Sequence, residues 1–263
     1  MDFFINLNSY YQSLIATLFT FFITSLGSSI VFFFKKVNKT ILDAMLGFAA
    51  GVMISASYYS LLKPASEMAS TIGLNIWLSC SLGFISGGLF LFISDKVFNR
   101  LLKNNKNSNQ IKRIVLLITS ITIHNIPEGL AIGVAFGSLA YNLEGANLLS
   151  AIVLAIGIGL QNFPEGSAVS LPLRREGLSP TKSFIFGSLS GIVEPIAGLI
   201  GVMLVIKIRL LLPFFLAFAA GAMIYVVIEE LIPESQTNKK KDLMAFTSII
   251  GFTIMMILDI ALG

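Results

Sequence analysis

Two hexapeptides hold most of the side chains in this chain that could do chemistry. They are His124-Asn125-Ile126-Pro127-Glu128-Gly129 and Gln161-Asn162-Phe163-Pro164-Glu165-Gly166, and they share the pattern N-x-P-E-G. On a helix, residues four apart lie on one face, so His124 aligns with Glu128 and Gln161 with Glu165. Asn125 and Asn162 precede the same glutamates by three residues. If the two stretches pack together, two carboxylates, an imidazole and three amide oxygens converge. Such a set suits a divalent cation: imidazole favours first-row transition metals, and carboxylate and amide oxygens accept a wider range. Both stretches lie inside long apolar runs, where an ionisable residue is costly and points to function.

The prolines and glycines fit the same reading. A proline has no N–H and crowds the carbonyl four residues back. Pro127 should therefore free the carbonyl of Ile123, and Pro164 that of Leu160. Freed carbonyls at membrane depth are tolerated where they line a cavity or meet an ion. Gly129 and Gly166 allow close helix approach.

The elements that must position these residues are apolar spans. The chain has 263 residues, 55% hydrophobic and 12% charged, against the ~25% charged usual in soluble domains. Eight apolar segments stand out, at about 11–34, 41–62, 73–94, 114–139, 148–171, 183–206, 212–232 and 243–262, each near the ~20 residues a membrane-crossing helix needs. Their continuous apolarity argues against a β-barrel, which would alternate. The fold class read from this is an all-α membrane protein built as a single polytopic domain over 1–263. Residues 95–113 form a polar, flexible cytoplasmic loop in this reading. The single cysteine, Cys80, excludes an intramolecular disulfide and a cysteine-based metal site.

Basic residues set the orientation. Of 18 Lys and Arg, only Lys63, Lys207 and Arg209 fall outside the loops that follow segments 1, 3, 5 and 7. Positive-inside placement puts those loops in the cytoplasm and both termini outside. The net charge of +4 is modest, and nothing in its distribution indicates a nucleic-acid partner.

The chain also repeats. Phe48-Ala49-Ala50-Gly51-Val52-Met53-Ile54 matches Phe218-Ala219-Ala220-Gly221-Ala222-Met223-Ile224, and each is followed by a Leu and a Pro. Gly83-Phe84 with Asp95 in segment 3 resembles Gly251-Phe252 with Asp259 in segment 8. Segments 1–3 thus resemble 6–8, with 4 and 5 as a second matched pair: a 3+2+3 arrangement of inverted repeats. Such repeats enclosing a midplane site made by broken helices are characteristic of secondary transporters.

Other residues could join the site. Glu194 sits beside Pro195 in segment 6, Met53 in segment 2 offers a thioether, and Glu229 and Glu230 lie near the end of segment 7, with Glu230 taken as the inward one. Asp43, at the start of segment 2, could lie on a path to the site. Asp95 and Asp259 read as span-end residues.

At these motifs, and in the continuation Ser167-Ala168-Val169-Ser170-Leu171-Pro172-Leu173-Arg174, the chain resembles the ZIP (Zrt/Irt-like protein) family of divalent metal transporters, in particular its GufA-like branch. The resemblance covers essentially the whole chain. It implies a binuclear centre between spans 4 and 5, with His124, Gln161, Glu165 and Met53 at one position. Asn125, Glu128, Asn162 and Glu194 would form the other, with Glu165 bridging. It links Asp43 and Glu230 to the metal pathway. It further implies a homodimer and an elevator motion in which spans 1, 4, 5 and 6 slide against spans 2, 3, 7 and 8. Asn162 stands where some relatives have Asp, which removes one negative charge from the second position. The loop after span 3 lacks the histidines many relatives carry there.

The sequence is therefore read as a secondary transporter moving divalent transition metals, foremost Zn²⁺ with Cd²⁺, Fe²⁺ and Mn²⁺ as alternatives, into the cytoplasm. The metal is cargo, and no catalytic cofactor is expected. A channel-like facilitator using the same site is the alternative. A membrane metalloenzyme fits poorly, because helical zinc-hydrolase sites need a second His and this chain has one. The expected setting is a lipid bilayer crossed many times, a bacterial plasma membrane.

Overall fold

The computed structural model describes residues 4, 6–33, 38–103, 109–141, 146–207 and 209–262. Among these every regular element is helical and no strand occurs. The helices are α1 (Ser9–Phe33), α2 (Lys39–Thr71), α3 (Ile76–Lys103), α4 (Asn109–Ser138), α5 (Leu148–Arg175), α6 (Pro180–Val205), α7 (Leu212–Ser235) and α8 (Lys241–Leu262). All except α4 are long and apolar enough, among the described residues, to cross a membrane. α4 has 30 residues, and most side chains of its first half lie outside the described residues.

Several helices begin where a polar side chain satisfies an orphan N–H of the first turn. Asn8, Asn38, Asn147 and Ser179 accept from the backbone N–H groups of Tyr11, Thr40, Ser150 and Lys182. Pro180 then occupies the first turn of α6, where its missing N–H costs nothing. Some helix ends lie well beyond the apolar segments. α2 continues past 62 to Thr71, α3 past 94 to Lys103, and α4 starts at Asn109 rather than 114. The loop expected over 95–113 is thus helical on both sides of 104–108, which lie outside the described residues. Apolarity marks the hydrocarbon slab, and a helix does not have to stop at its edge.

The departures from α-helical geometry lie outside the two motifs. α4 runs unbroken through Pro127, and α5 through Pro164 and Pro172. The broken helices are others. α2 widens into a π-turn over Ser57–Leu62 just before Pro64, with the Lys63 N–H bonding to the carbonyl of Tyr58. α7 does the same over Val227–Leu231 just before Pro233, with the Ile232 N–H bonding to Val227. α6 tightens into a 3-10 turn at Ser190–Ile192, before Pro195. In each case a proline ring pushes on the preceding turn, and the turn answers by widening or tightening. In α4 and α5 only single helical bonds are lost and the flanking turns hold.

The most extensive packings are α1 on α5, α4 on α6, α2 on α8 and α3 on α7, with α2 also crossing α5. α3 and α8 lie outermost, exposing Trp77, Ile85, Ile257 and Ile260. The most buried spans are α2, α5 and α7. Asn125, Glu128, Gln161, Asn162 and Glu165 are buried within the bundle.

Candidate metal site

α4 and α5 present the two motifs, and glycines decide what lies against them. A Cβ at Gly129 would sit 2.7 Å from the Cα of Glu194 and 2.9 Å from the Cβ of Ala197, so only glycine lets α4 touch α6 there. A Cβ at Gly166 would sit 3.0 Å from the N and Oγ of Ser28 on α1. The predicted close approach is thus realised, and each motif glycine serves a different neighbour.

Asn125, Glu128, Gln161, Asn162, Glu165 and Glu194 are all buried. Gln161 Nε2 donates to Glu128 Oε1 at 2.6 Å. Asn162 Nδ2 donates to Glu194 Oε1 at 2.9 Å and reaches the carbonyl of Thr20 at 3.5 Å. Asn125 Nδ2 donates to the carbonyl of Ser190 at 3.0 Å. Each amide nitrogen faces an acceptor, which fixes which end of each carboxamide is oxygen. Glu194 lies in the first turn of the second half of α6, a position that favours a carboxylate. It also accepts from the Thr20 hydroxyl of α1.

Five buried oxygens of this cluster have no hydrogen-bond donor among the described residues: Asn125 Oδ1, Glu128 Oε2, Gln161 Oε1, Asn162 Oδ1 and Glu165 Oε1. Orphan acceptors at this density are unusual, since buried polar atoms are nearly always partnered. The carboxylates of Glu128, Glu165 and Glu194 also lie within electrostatic reach of one another, and Glu165 within reach of Glu230. Like charges gathered in a bundle interior, with oxygens lacking donors, make a setting a cation would relieve. Among the described residues no three Asp, Glu, His or Cys side chains are arranged to hold a metal alone, so the oxygen set is mixed carboxylate and carboxamide.

The remaining predicted residues are spread out. The His124 side chain lies outside the described residues. Met53 is fully buried in the core on α2, the helix that crosses α5. Glu230 is half-buried in the π-turn of α7, with Glu229 exposed beside it. Asp43 is distant in role: it is buried near the start of α2, where Asn238 Nδ2 donates to its Oδ2 at 2.8 Å. Asp259 lies in the last turn of α8, as its span-end reading has it, and it also makes a buried contact. It is buried, and the Ser60 hydroxyl donates to its Oδ1 at 2.6 Å, joining α2 to α8. The sequence reading missed the α1 hydroxyls altogether. Ser13, Thr17, Thr20, Thr24 and Ser28 form one buried stripe, and their spacing of three and four within an apolar span was the available signal.

Comparison with known proteins agrees with this geometry. A family model described as ZIP Zinc transporter matches residues 103–259. Zinc transporter ZIP11 of Xenopus tropicalis is 40% identical, over 96% of this chain and 97% of its own length. Zinc transporter ZIP11 of Homo sapiens is 37% identical, over 97% and 98%. Zinc transporter GufA of Myxococcus xanthus is 33% identical, over 95% and 98%. These relatives span vertebrates and bacteria, so the expected bacterial setting does not follow from them. What the similarity and the apolar helices together establish is a multi-pass membrane protein from a group of transporters rather than enzymes. The chain belongs to the ZIP zinc transporter family.

Proposed function

We propose that this protein is a secondary transporter that carries Zn²⁺ into the cytoplasm through a binuclear site between α4 and α5. The observation that carries the reading is the set of five donor-less buried oxygens, four of them on the N-x-P-E-G motifs and the fifth on Gln161 beside them. His124, Gln161, Glu165 and Met53 make one position, and Asn125, Glu128, Asn162 and Glu194 the other, with Glu165 shared. Asp43 and Glu230 lie on the path. The relatives named as zinc transporters favour Zn²⁺ as cargo.

The architecture proposed around the site has eight spans, α4 included, in a 3+2+3 inverted repeat with both termini outside. Paired details support it. Gly51 on α2 rests against Ser248 of α8, and Gly221 on α7 rests against Phe84 of α3. The π-turns of α2 and α7 occupy corresponding places. The same register that pairs Gly51 with Gly221 pairs Thr20 with Ser190 and Thr24 with Glu194. Asn162 reaches the carbonyl of Thr20 and Asn125 that of Ser190, so each motif asparagine holds the equivalent carbonyl. Repeats of this kind suit alternating access about a fixed site. We assign the moving body to α1, α4, α5 and α6, the supporting body to α2, α3, α7 and α8, and the working unit to a homodimer in the bilayer.

The test is Zn²⁺ uptake by purified protein in proteoliposomes. Saturable uptake that is lost in Glu165→Ala combined with His124→Ala is the expected result. Wild-type uptake by that double variant would refute the assignment.

A further inference from the structure

We infer that Thr20 is a positioning residue for Glu194, holding it in hydrogen bonds that must be exchanged when a cation binds. This rests on the transport reading above and adds a residue of α1 to it. Thr20 and Glu194 are both fully buried. The Thr20 hydroxyl donates to Glu194 Oε2, and its rotamer also places it 3.0 Å from the carbonyl of Thr17. The main chain of Thr20 takes part too: its carbonyl lies 3.5 Å from Asn162 Nδ2, the group that donates to Glu194 Oε1 at 2.9 Å. Both oxygens of Glu194 are therefore supplied with donors, whereas Glu128 and Glu165 each keep a buried oxygen without one. The repeat does not duplicate this device. Ser190, the counterpart of Thr20, turns its hydroxyl to the carbonyl of Gly187 at 2.8 Å.

The energetic consequence has a definite sign. Removing the hydroxyl takes away one of the three side-chain donors that Glu194 has, Thr20, Thr24 and Asn162, which raises the free energy of the empty state. A bound cation relieves the deficit, so binding tightens. Release must recreate the deficit, so turnover slows.

The experiment is Zn²⁺ uptake in proteoliposomes by wild type, Thr20→Val and Thr20→Ser. For Thr20→Val the expected result is a fall in KM and in kcat of roughly tenfold each, the scale of one charge-assisted hydrogen bond. kcat/KM stays nearly unchanged, and Thr20→Ser behaves as wild type. A merely structural role would lower the amount of folded protein or kcat without lowering KM. Unchanged kinetics in Thr20→Val, or a Thr20→Ser that behaves like it, overturns the inference alone. Wild-type protein that takes up no Zn²⁺ overturns the transport reading and this inference with it. Should the valine be poorly accommodated, Thr20→Ala removes the same hydroxyl without added bulk and is read the same way.

Discussion

Three buried glutamates share one polar cluster, yet its two sides are supplied differently. On the α6 side Glu194 receives donors from Thr20 of α1 and Asn162 of α5. On the α4–α5 side Glu128 has one donor, Gln161, and one bare oxygen, and Glu165 has a bare oxygen as well. Burial is nearly the same for all three, so burial does not separate them. The difference lies in the donors. Each unpaired buried acceptor costs about 1–3 kcal/mol, a cost a cation can offset on the α4–α5 side. The α6 side is satisfied without one.

The largest effect should come from closing the gap that brings the sides together. Gly129→Ala drives a Cβ into the backbone of Glu194. The expected outcome is abolished Zn²⁺ uptake and a melting curve shifted down by the equivalent of ~3 kcal/mol or more, the upper range for overpacking. Next, Glu128→Gln and Glu194→Gln separate the two sides directly. Glu128→Gln should cut uptake by about a hundredfold while leaving the melting temperature close to wild type, since it removes a charge that already lacks one donor. Glu194→Gln should do the reverse in emphasis, because its new NH2 must face a donor: about 1–3 kcal/mol of stability lost and a smaller fall in uptake. Equal effects of both substitutions on uptake and melting would erase the distinction.

A milder change would sharpen it. Asn162→Asp removes the donor to Glu194 and adds a charge at the second proposed position. Titration with Zn²⁺ should then show the weaker of the two proposed binding steps tightening by about tenfold, the scale of one charged interaction. The smallest effect is a control away from the site. Ser60→Ala unpairs Asp259 and should lower stability by about 1–2 kcal/mol without altering the number of ions bound.

The sequence made the helical class, most spans and the motif residues legible, because apolar runs, Pro-Glu pairs and glycines act locally. The proposed repeat is most visible in α2 and α7, where six of seven residues match. In α3 and α8 the apparent match of Gly83-Phe84 with Gly251-Phe252 is one turn out of register. Gly87 rests on Phe218 and Gly251 on Phe48, so the proposed repeat pairs these two glycines, and the same register aligns Asp95 with Asp259. Small-residue patterns recur every turn in such helices, and only the partner helix selects among them. The Thr20–Glu194 contact was hidden for a related reason: it joins residues 174 apart in sequence, and a threonine in an apolar helix looks ordinary until its partner is known. Pro127 and Pro164 show that a proline can remove one helical bond without breaking the neighbouring turns.

The central claim is that the donor-less oxygens of α4 and α5 are where the cation rests. Anomalous scattering from crystals soaked in Cd²⁺, compared with Zn²⁺, tests it most directly. The expected result is one ion at Gln161 and Glu165, beside His124 and Met53, and a second, weaker one among Asn125, Glu128, Asn162 and Glu194. Ions bound only elsewhere, such as at Asp259 or Asp43, with the oxygens of Glu128 and Glu165 bare, would contradict it.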